Sequence, residues 1–315
     1  MKPLACLALT FLLLAPAVNA RAGCIVDDTG TRVCLDRAPR RAVSLYGAFT
    51  ELLAALGGAE SLVARTQNDD TVPEVAKLPS VGTGLRPNVE LLLALKPDVV
   101  VSRSSKAAAE ALGALRARGL QVAAFDPTGL DELYGTIDRL GVLWGRPGEA
   151  KALTERIRAG MARVEKKTAG VPRRLRVVYE VRAEPLTVAG SGGLVDELLG
   201  AAGAENAVKI PKKLVQLDPE ALLKLDPDAY VLQVGPMNPK PLPPAERPHL
   251  QTLRAVREGR ILSVEEELFA RPGPHVADAA ERLSRALYPD LWSSKASGPA
   301  SSGKGVPAGT RKAKP

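Results

Sequence analysis

The run Asn88-Val89-Glu90-Leu91-Leu92-Leu93-Ala94-Leu95-Lys96-Pro97-Asp98 returns 130 residues later as Asp218-Pro219-Glu220-Ala221-Leu222-Leu223-Lys224-Leu225-Asp226-Pro227-Asp228. Each copy opens on Asn or Asp, whose short side chain can accept a hydrogen bond from the first turn of a helix. Each then places a glutamate in that first turn, where the helix dipole favours negative charge, and ends at a proline that cannot continue the helix. A second pair precedes the first in each half: Glu51-Leu52-Leu53-Ala54-Ala55-Leu56-Gly57 and Glu197-Leu198-Leu199-Gly200-Ala201-Ala202-Gly203. Two blocks that recur in the same order mark an internal duplication, not an accident of helix composition.

Working outward from the repeats, β-prone runs fall at 41–45, 63–66, 98–102 and 122–125, then at 176–181, 229–233 and 260–264, with helical patterns between most of them. Strands alternating with helices predict an α/β protein of two Rossmann-like lobes with mostly parallel sheets. Between the halves, Ala150, Leu153, Ile157, Met161 and Val164 form a stripe at helical spacing, bounded by Pro147 and by Gly170 and Pro172. One long amphipathic helix is expected there. About 20 residues at a rise of ~1.5 Å span about 30 Å, enough to brace two lobes and limit their closure. The expected layout is a signal peptide at 1–20, an N-terminal lobe at 21–146, a connecting helix at 147–170, a C-terminal lobe at 171–292 and a disordered basic tail at 293–315.

The chain has 315 residues, 45% of them apolar and 25% charged, with a mean hydropathy of −0.02. That balance belongs to a soluble globular protein and excludes wholesale disorder or a multi-span membrane protein. A net charge of +8 invites a nucleic-acid reading, but five of those charges lie in residues 293–315, where no acid offsets them, and Lys2 lies in the leader. The body is left at +2, which removes the support for such a partner. Two histidines and three cysteines are too few for a zinc ribbon, an iron-sulfur site or a His-rich carrier.

Residues 1–20 carry Lys2, an apolar run from Leu4 and a small-residue exit at Val18-Asn19-Ala20, the pattern of a secretory signal peptide. Export is expected, with the mature chain in the periplasm. Arg21-Ala22-Gly23 before Cys24 departs from the small apolar tripeptide of a lipoprotein signal. Cleavage discards Cys6 and leaves Cys24 and Cys34 in an oxidising compartment, flanking an Asp-Thr-Gly turn between two short β-prone runs. A hairpin closed by a disulfide is expected, because the turn brings the two sulfurs together. A redox-active pair would instead have Cys-x-x-Cys spacing.

Nothing catalytic is legible: no Gly-x-Ser-x-Gly, His-Glu-x-x-His or Walker loop occurs. Gly190-Ser191-Gly192-Gly193, after a β-prone run and before a helix, reads either as an anion cradle or as a strand-to-helix turn shared with Tyr46-Gly47-Ala48.

Taken with Arg41-Ala42-Val43-Ser44-Leu45, the repeat at 88–100 and Phe269-Ala270-Arg271-Pro272-Gly273-Pro274, the chain from about residue 41 to 292 resembles the helical-backbone (class III) substrate-binding proteins of ABC importers. That class carries cobalamin, ferric siderophores or haem. The resemblance implies a non-enzyme with no cofactor of its own, a transported metal chelate as ligand, and a permease dimer with its ATPase subunits as partner. It further implies a monomer that meets the membrane only through that permease. By motif match, Glu90 and Glu220 are the carboxylates that dock on the permease, one per lobe. An exported sensor or scavenger of the same fold, uncoupled to transport, is the alternative.

Ligands of open α/β sheets bind beyond the carboxyl ends of the strands. The candidates there are Tyr46, Arg103, Arg182, Gln233, Phe269 and Arg271: arginines to face a carboxylate or phosphate, aromatic rings to cover a flat ligand. Gly84 stands where cobalamin-binding relatives commonly carry a ring. His275 is a weak candidate axial ligand to a bound metal, and His249, in a Pro-rich loop, a weaker one.

Overall fold

The computed structural model describes residues 23–69 and 72–293. The signal-peptide reading at 1–20, and the tail reading apart from Ser293, lie outside the described residues. The chain opens on a hairpin, β1 (Cys24–Val26) and β2 (Arg32–Cys34), with Cys24 opposite Cys34 and a disulfide joining them. Its turn is built by Asp27, whose carboxylate accepts from Thr29 N, Thr29 Oγ1 and Thr31 N, while Gly30 takes the left-handed conformation (φ 77°) that the turn needs.

The N-terminal lobe follows as β3 (Ala42–Ser44), α1 (Gly47–Ala55), β4 (Leu62–Ala64), α2 (Val89–Leu95), β5 (Val99–Arg103), α3 (Ala109–Ala117), β6 (Val122–Phe125) and α4 (Leu130–Leu143). Its four strands are all parallel, in the order β4-β3-β5-β6. Strand order therefore reverses between β3 and β5, the place where such sheets leave a crevice. The disulfide hairpin lies along β6: Asp28 N donates to Ala124 O (3.0 Å), and Ala124 N donates to Asp27 Oδ2 (3.0 Å). The otherwise open backbone edge is thereby capped.

Helix α5 (Pro147–Thr168) begins on Pro147 and runs 22 residues, burying the five stripe positions together with Gly160 and Thr168. It packs against α4 on one side and against helices of the second lobe on the other. That lobe comprises β7 (Arg176–Arg182), β8 (Thr187–Ala189), α6 (Leu194–Ala201), β9 (Glu205–Asn206), β10 (Leu214–Gln216), α7 (Pro219–Leu225), β11 (Ala229–Val234), α8 (Arg254–Arg257), β12 (Ile261–Glu265), α9 (Glu266–Phe269), α10 (Val276–Leu287) and α11 (Pro289–Trp292). Its sheet runs β10-β8-β7-β11-β12, with β9 also on β7. The pairs β7–β11, β11–β12 and β7–β9 are parallel, whereas β8 and β10 are antiparallel additions.

The duplication is visible at atomic detail. Asn88 Oδ1 accepts from Leu91 N (3.0 Å) and Asp218 Oδ1 from Ala221 N (2.6 Å), the same cap on α2 and α7. Both helices end on a non-glycine residue in the left-handed region, Lys96 (φ 47°) and Asp226 (φ 37°), directly before Pro97 and Pro227. Asp98 N then donates to Arg41 O (2.7 Å), and Asp228 N to Arg176 O (2.8 Å), so each helix delivers the chain into its next strand in the same register. The carboxylates repeat the pattern: Asp98 Oδ2 accepts from Arg41 N, and Asp228 Oδ2 from Arg176 N.

Strand residues alternate between two cores, as the pleat dictates. Val99 and Val101 face a central core while Val100 faces outward into a second cluster; Val177 and Tyr179 face the centre while Val178 faces a third. The central core is continuous across the molecule, from Phe49 and Leu140 through Leu153 and Met161 to Leu198 and Leu283. The lobes are therefore joined by shared packing as well as by a helix.

Candidate functional site

A cavity of about 410 Å³ lies where the two lobes meet, within the size range of small-molecule sites. The N-terminal lobe supplies the residues just past β3 and β5, Tyr46 and Gly47 and then Arg103 and Ser105, so the crevice at the strand reversal forms one wall. The opposite wall comes from Val181 on β7, Gly190 and Gly193 beside α6, Lys213 before β10, Met237 after β11, and the segment carrying Glu266 and Arg271.

Tyr46 is half-buried, with its ring edge-on to Phe49 at 5.1 Å and the Arg103 guanidinium 5.6 Å from its centroid. Burial pushes its phenol above the usual range, against the pull of Arg103 and Arg271. Arg103 is held by Asp126 (Nε to Oδ1, 2.9 Å). The Asp126 backbone N–H is in turn fixed by Asp28 Oδ2 (2.7 Å), so the disulfide hairpin supports this arginine at second hand. Arg271, 7% exposed, reaches from the C-terminal lobe to the start of α1, with Glu267 Oε1 at 3.3 Å from its Nη2. At Gly47 a Cβ would lie 2.6 Å from Arg271 Nη1 and 2.9 Å from Asp69 Oδ1, so only glycine leaves room for this approach. Asp69 is fully buried; its Oδ2 accepts from Thr66 N and Oγ1, its Oδ1 meets no hydrogen-bond donor among the described residues, and burial raises its carboxyl pKa.

Tyr46, Arg103 and Arg271 thus share the cavity wall, and the other three candidates lie elsewhere. Gln233, fully buried, sits beneath the cavity with its Oε1 accepting from Tyr179 Oη (3.3 Å). Phe269, 2% exposed, belongs to the central core. Arg182 is exposed and lines a separate groove of about 730 Å³ with Pro185 and the Pro-rich segment that carries His249. His275 lies on yet another groove, of about 740 Å³ beside α5, where its exposed ring meets Asp278 (3.3 Å). Neither imidazole reaches the inter-lobe cavity. Among the described residues no group of three His, Cys, Asp or Glu is arranged to hold a metal ion. Gly190, Ser191 and Gly192 spend their N–H groups on Lys213 O, Ile210 O and Lys212 O. A Cβ on Gly190 would lie 2.3 Å from Lys212 O. The turn is a close backbone crossing, and these donors are not free to cradle an anion.

Sequence reasoning missed Lys213, Met237, Glu266 and Leu85. Lys213 enters on the antiparallel β8–β10 pair, which has no counterpart in the first half and so no repeat to flag it. Leu85 (52% exposed), Leu214 (41%) and Met237 (40%) give the mouth an apolar rim shared by both lobes.

Glu90 and Glu220 occupy equivalent first-turn positions on α2 and α7, one on each lobe, and both are exposed. Neither forms an ion pair among the described residues. No helix among the described residues is long and apolar enough to cross a membrane.

Comparison with known proteins agrees with this architecture. A model of the family described as periplasmic binding protein matches residues 43–268. The uncharacterized ABC transporter substrate-binding lipoprotein YvrC of Bacillus subtilis (strain 168) is 30% identical over 274 residues, covering 85% of this chain and 86% of that protein. A vitamin B12-binding protein of Photorhabdus laumondii is 26% identical, over 79% of this chain and 88% of its own. Among solved structures, the apo form of the periplasmic heme-binding protein RhuT from Roseiflexus sp. RS-1 superposes with a TM-score of 0.70 at 26% identity, over 80% of this chain and 99% of that one.

Proposed function

Since the chain belongs to the periplasmic binding protein family, we propose that it is the exported substrate-binding component of an ABC importer, capturing a metal chelate of the corrinoid, ferric siderophore or haem type. The reading is carried by one observation: a cavity walled by both lobes at the carboxyl ends of their strands, on a body that presents one exposed first-turn glutamate per lobe. The relatives named above, binders of vitamin B12 and of haem and an ABC transporter lipoprotein, support the ligand class and the route.

Capture follows from the walls. The apolar rim of Leu85, Leu214 and Met237 draws in a hydrophobic face, which gains about 25 cal/mol for each Å² removed from water. Polar ends of the ligand are oriented by Arg103 and Arg271, and Tyr46 lays its ring alongside. Because α5 packs on both lobes, closure around the ligand is small. The filled protein then docks Glu90 and Glu220 on a permease dimer. Energy comes from the partner's ATPase subunits.

Docking is tested by the double variant Glu90→Ala/Glu220→Ala, with ligand affinity measured by calorimetry and uptake measured in cells. Uptake is expected to fall by at least tenfold with the dissociation constant unchanged. Unimpaired uptake by the double variant would refute docking through these carboxylates.

A further inference from the structure

At one end of the cavity the two lobes turn like charges toward each other. Arg103 comes from the end of β5 in the N-terminal lobe, and Lys213 from the turn before β10 in the C-terminal lobe. Arg103 has Asp126 at 2.9 Å. Lys213 has no ion pair and no side-chain hydrogen bond among the described residues. Its stem is backed by Gly193, where a Cβ would lie 3.2 Å from Lys213 Cγ, so the glycine lets the lysine lie close along the cavity wall. Burial lowers the Lys213 pKa, and the charge of Arg103 across the cleft lowers it further; the acid that acts on it, Asp126, is already bound to Arg103. At the opposite end the charges are balanced, since Arg271 has Glu267 and Asp69 beside it. The uncompensated charge is therefore local: it is that of Lys213, which faces the Arg103–Asp126 pair of the other lobe.

Resting on the capture reading above, we propose that Arg103 and Lys213 form a clamp for an anionic group on the chelate, a carboxylate or a phosphate, and that this group is the charge that lets the two lobes approach. A carboxylate between the two cations would replace their repulsion with two charge-assisted hydrogen bonds, one to each lobe. A neutral chelate would leave Lys213 buried without a partner when the lobes close, a costly arrangement. The clamp thus favours anionic over neutral chelates of similar size and makes the ligand's charge part of the closing force.

The test uses the mature chain and four probes: haemin and ferric citrate, which present carboxylates, cyanocobalamin, which presents a phosphodiester, and ferrichrome, which presents no anionic group. Calorimetry on the unmodified protein, on Lys213→Met and on Lys213→Arg gives the dissociation constants. At least one anionic probe is expected to bind more tightly than ferrichrome, to weaken about tenfold or more in Lys213→Met, the loss expected for one hydrogen bond between charged groups, and to recover in Lys213→Arg. Binding should also weaken as ionic strength rises. Which anionic probe responds separates carboxylate from phosphate recognition. Tightest binding of ferrichrome, or anionic binding indifferent to Lys213→Met, overturns the clamp and leaves the capture reading intact. No binding of any probe overturns both.

Discussion

Leu45 and Glu180 occupy the same place in the two lobes, since Arg41 and Arg176 accept equivalent bonds from Asp98 and Asp228 and each lies four residues upstream. One is an apolar residue 3% exposed on the outer face of its sheet. The other is a fully buried carboxylate gripped by Arg247 through both oxygens (2.6 and 2.9 Å) and also bound by Tyr230 Oη and Asn238 Nδ2. The same repeat therefore tolerates a greasy contact in one lobe and a buried ion pair in the other. What the pair secures is the Pro-rich segment after β11, the stretch that brings Met237 to the cavity. The N-terminal lobe solves a similar problem with a disulfide hairpin, whose Asp28 fixes the backbone of the residue holding Arg103. The duplicated unit builds the centre of each lobe. Lobe-specific additions at the periphery position the side chains that line the cavity.

The sharpest way to break this comparison is Arg247→Met, which strands Glu180 in the interior without its partner. Unfolding in denaturant should show a loss of about 3–5 kcal/mol, much of it regained in the double variant Glu180→Gln/Arg247→Met. A loss below about 1 kcal/mol, the worth of an exposed pair, would mean that the pair is not a buried one in solution. Next in size, replacing Cys24 and Cys34 together by serine should cost about 2–3 kcal/mol, as expected for opening a short cross-linked loop, and should weaken binding of a ligand that depends on Arg103. The smallest effects test equivalence itself: Asn88→Ala and Asp218→Ala each remove a helix cap and should each cost about 1 kcal/mol. A marked inequality between these two would show that the repeats carry different loads despite their matching geometry.

Much of the fold was legible because it rests on short-range rules. All seven expected strands and the connecting helix are present, within a residue or two of their expected ends. Asn88, Asp218, Pro97 and Pro227 mark their boundaries by local chemistry. The antiparallel β8–β10 addition was not expected, because it has no counterpart in the first half and so no repeat to flag it. For the cavity, the rule that ligands sit beyond strand ends placed Tyr46 and Arg103 on the wall. It failed for Gln233, which is the repeat counterpart of Arg103 at the offset of 130. The difference lies one strand away. Ser44 in β3 is small, whereas its counterpart Tyr179 in β7 fills the space and bonds the Gln233 amide, turning that side chain inward. Position along a strand is written in the chain. Whether a side chain there meets ligand or neighbour depends on the facing strand.

The bracing of α5 against both lobes bears on the proposed docking. If the lobes hardly move, the separation of Glu90 and Glu220 is nearly the same in empty and filled molecules. A pore that measures that separation would receive vacant carriers almost as readily as laden ones. Scarcity of cargo would then act twice, by lowering occupancy and by letting idle copies queue at the gate.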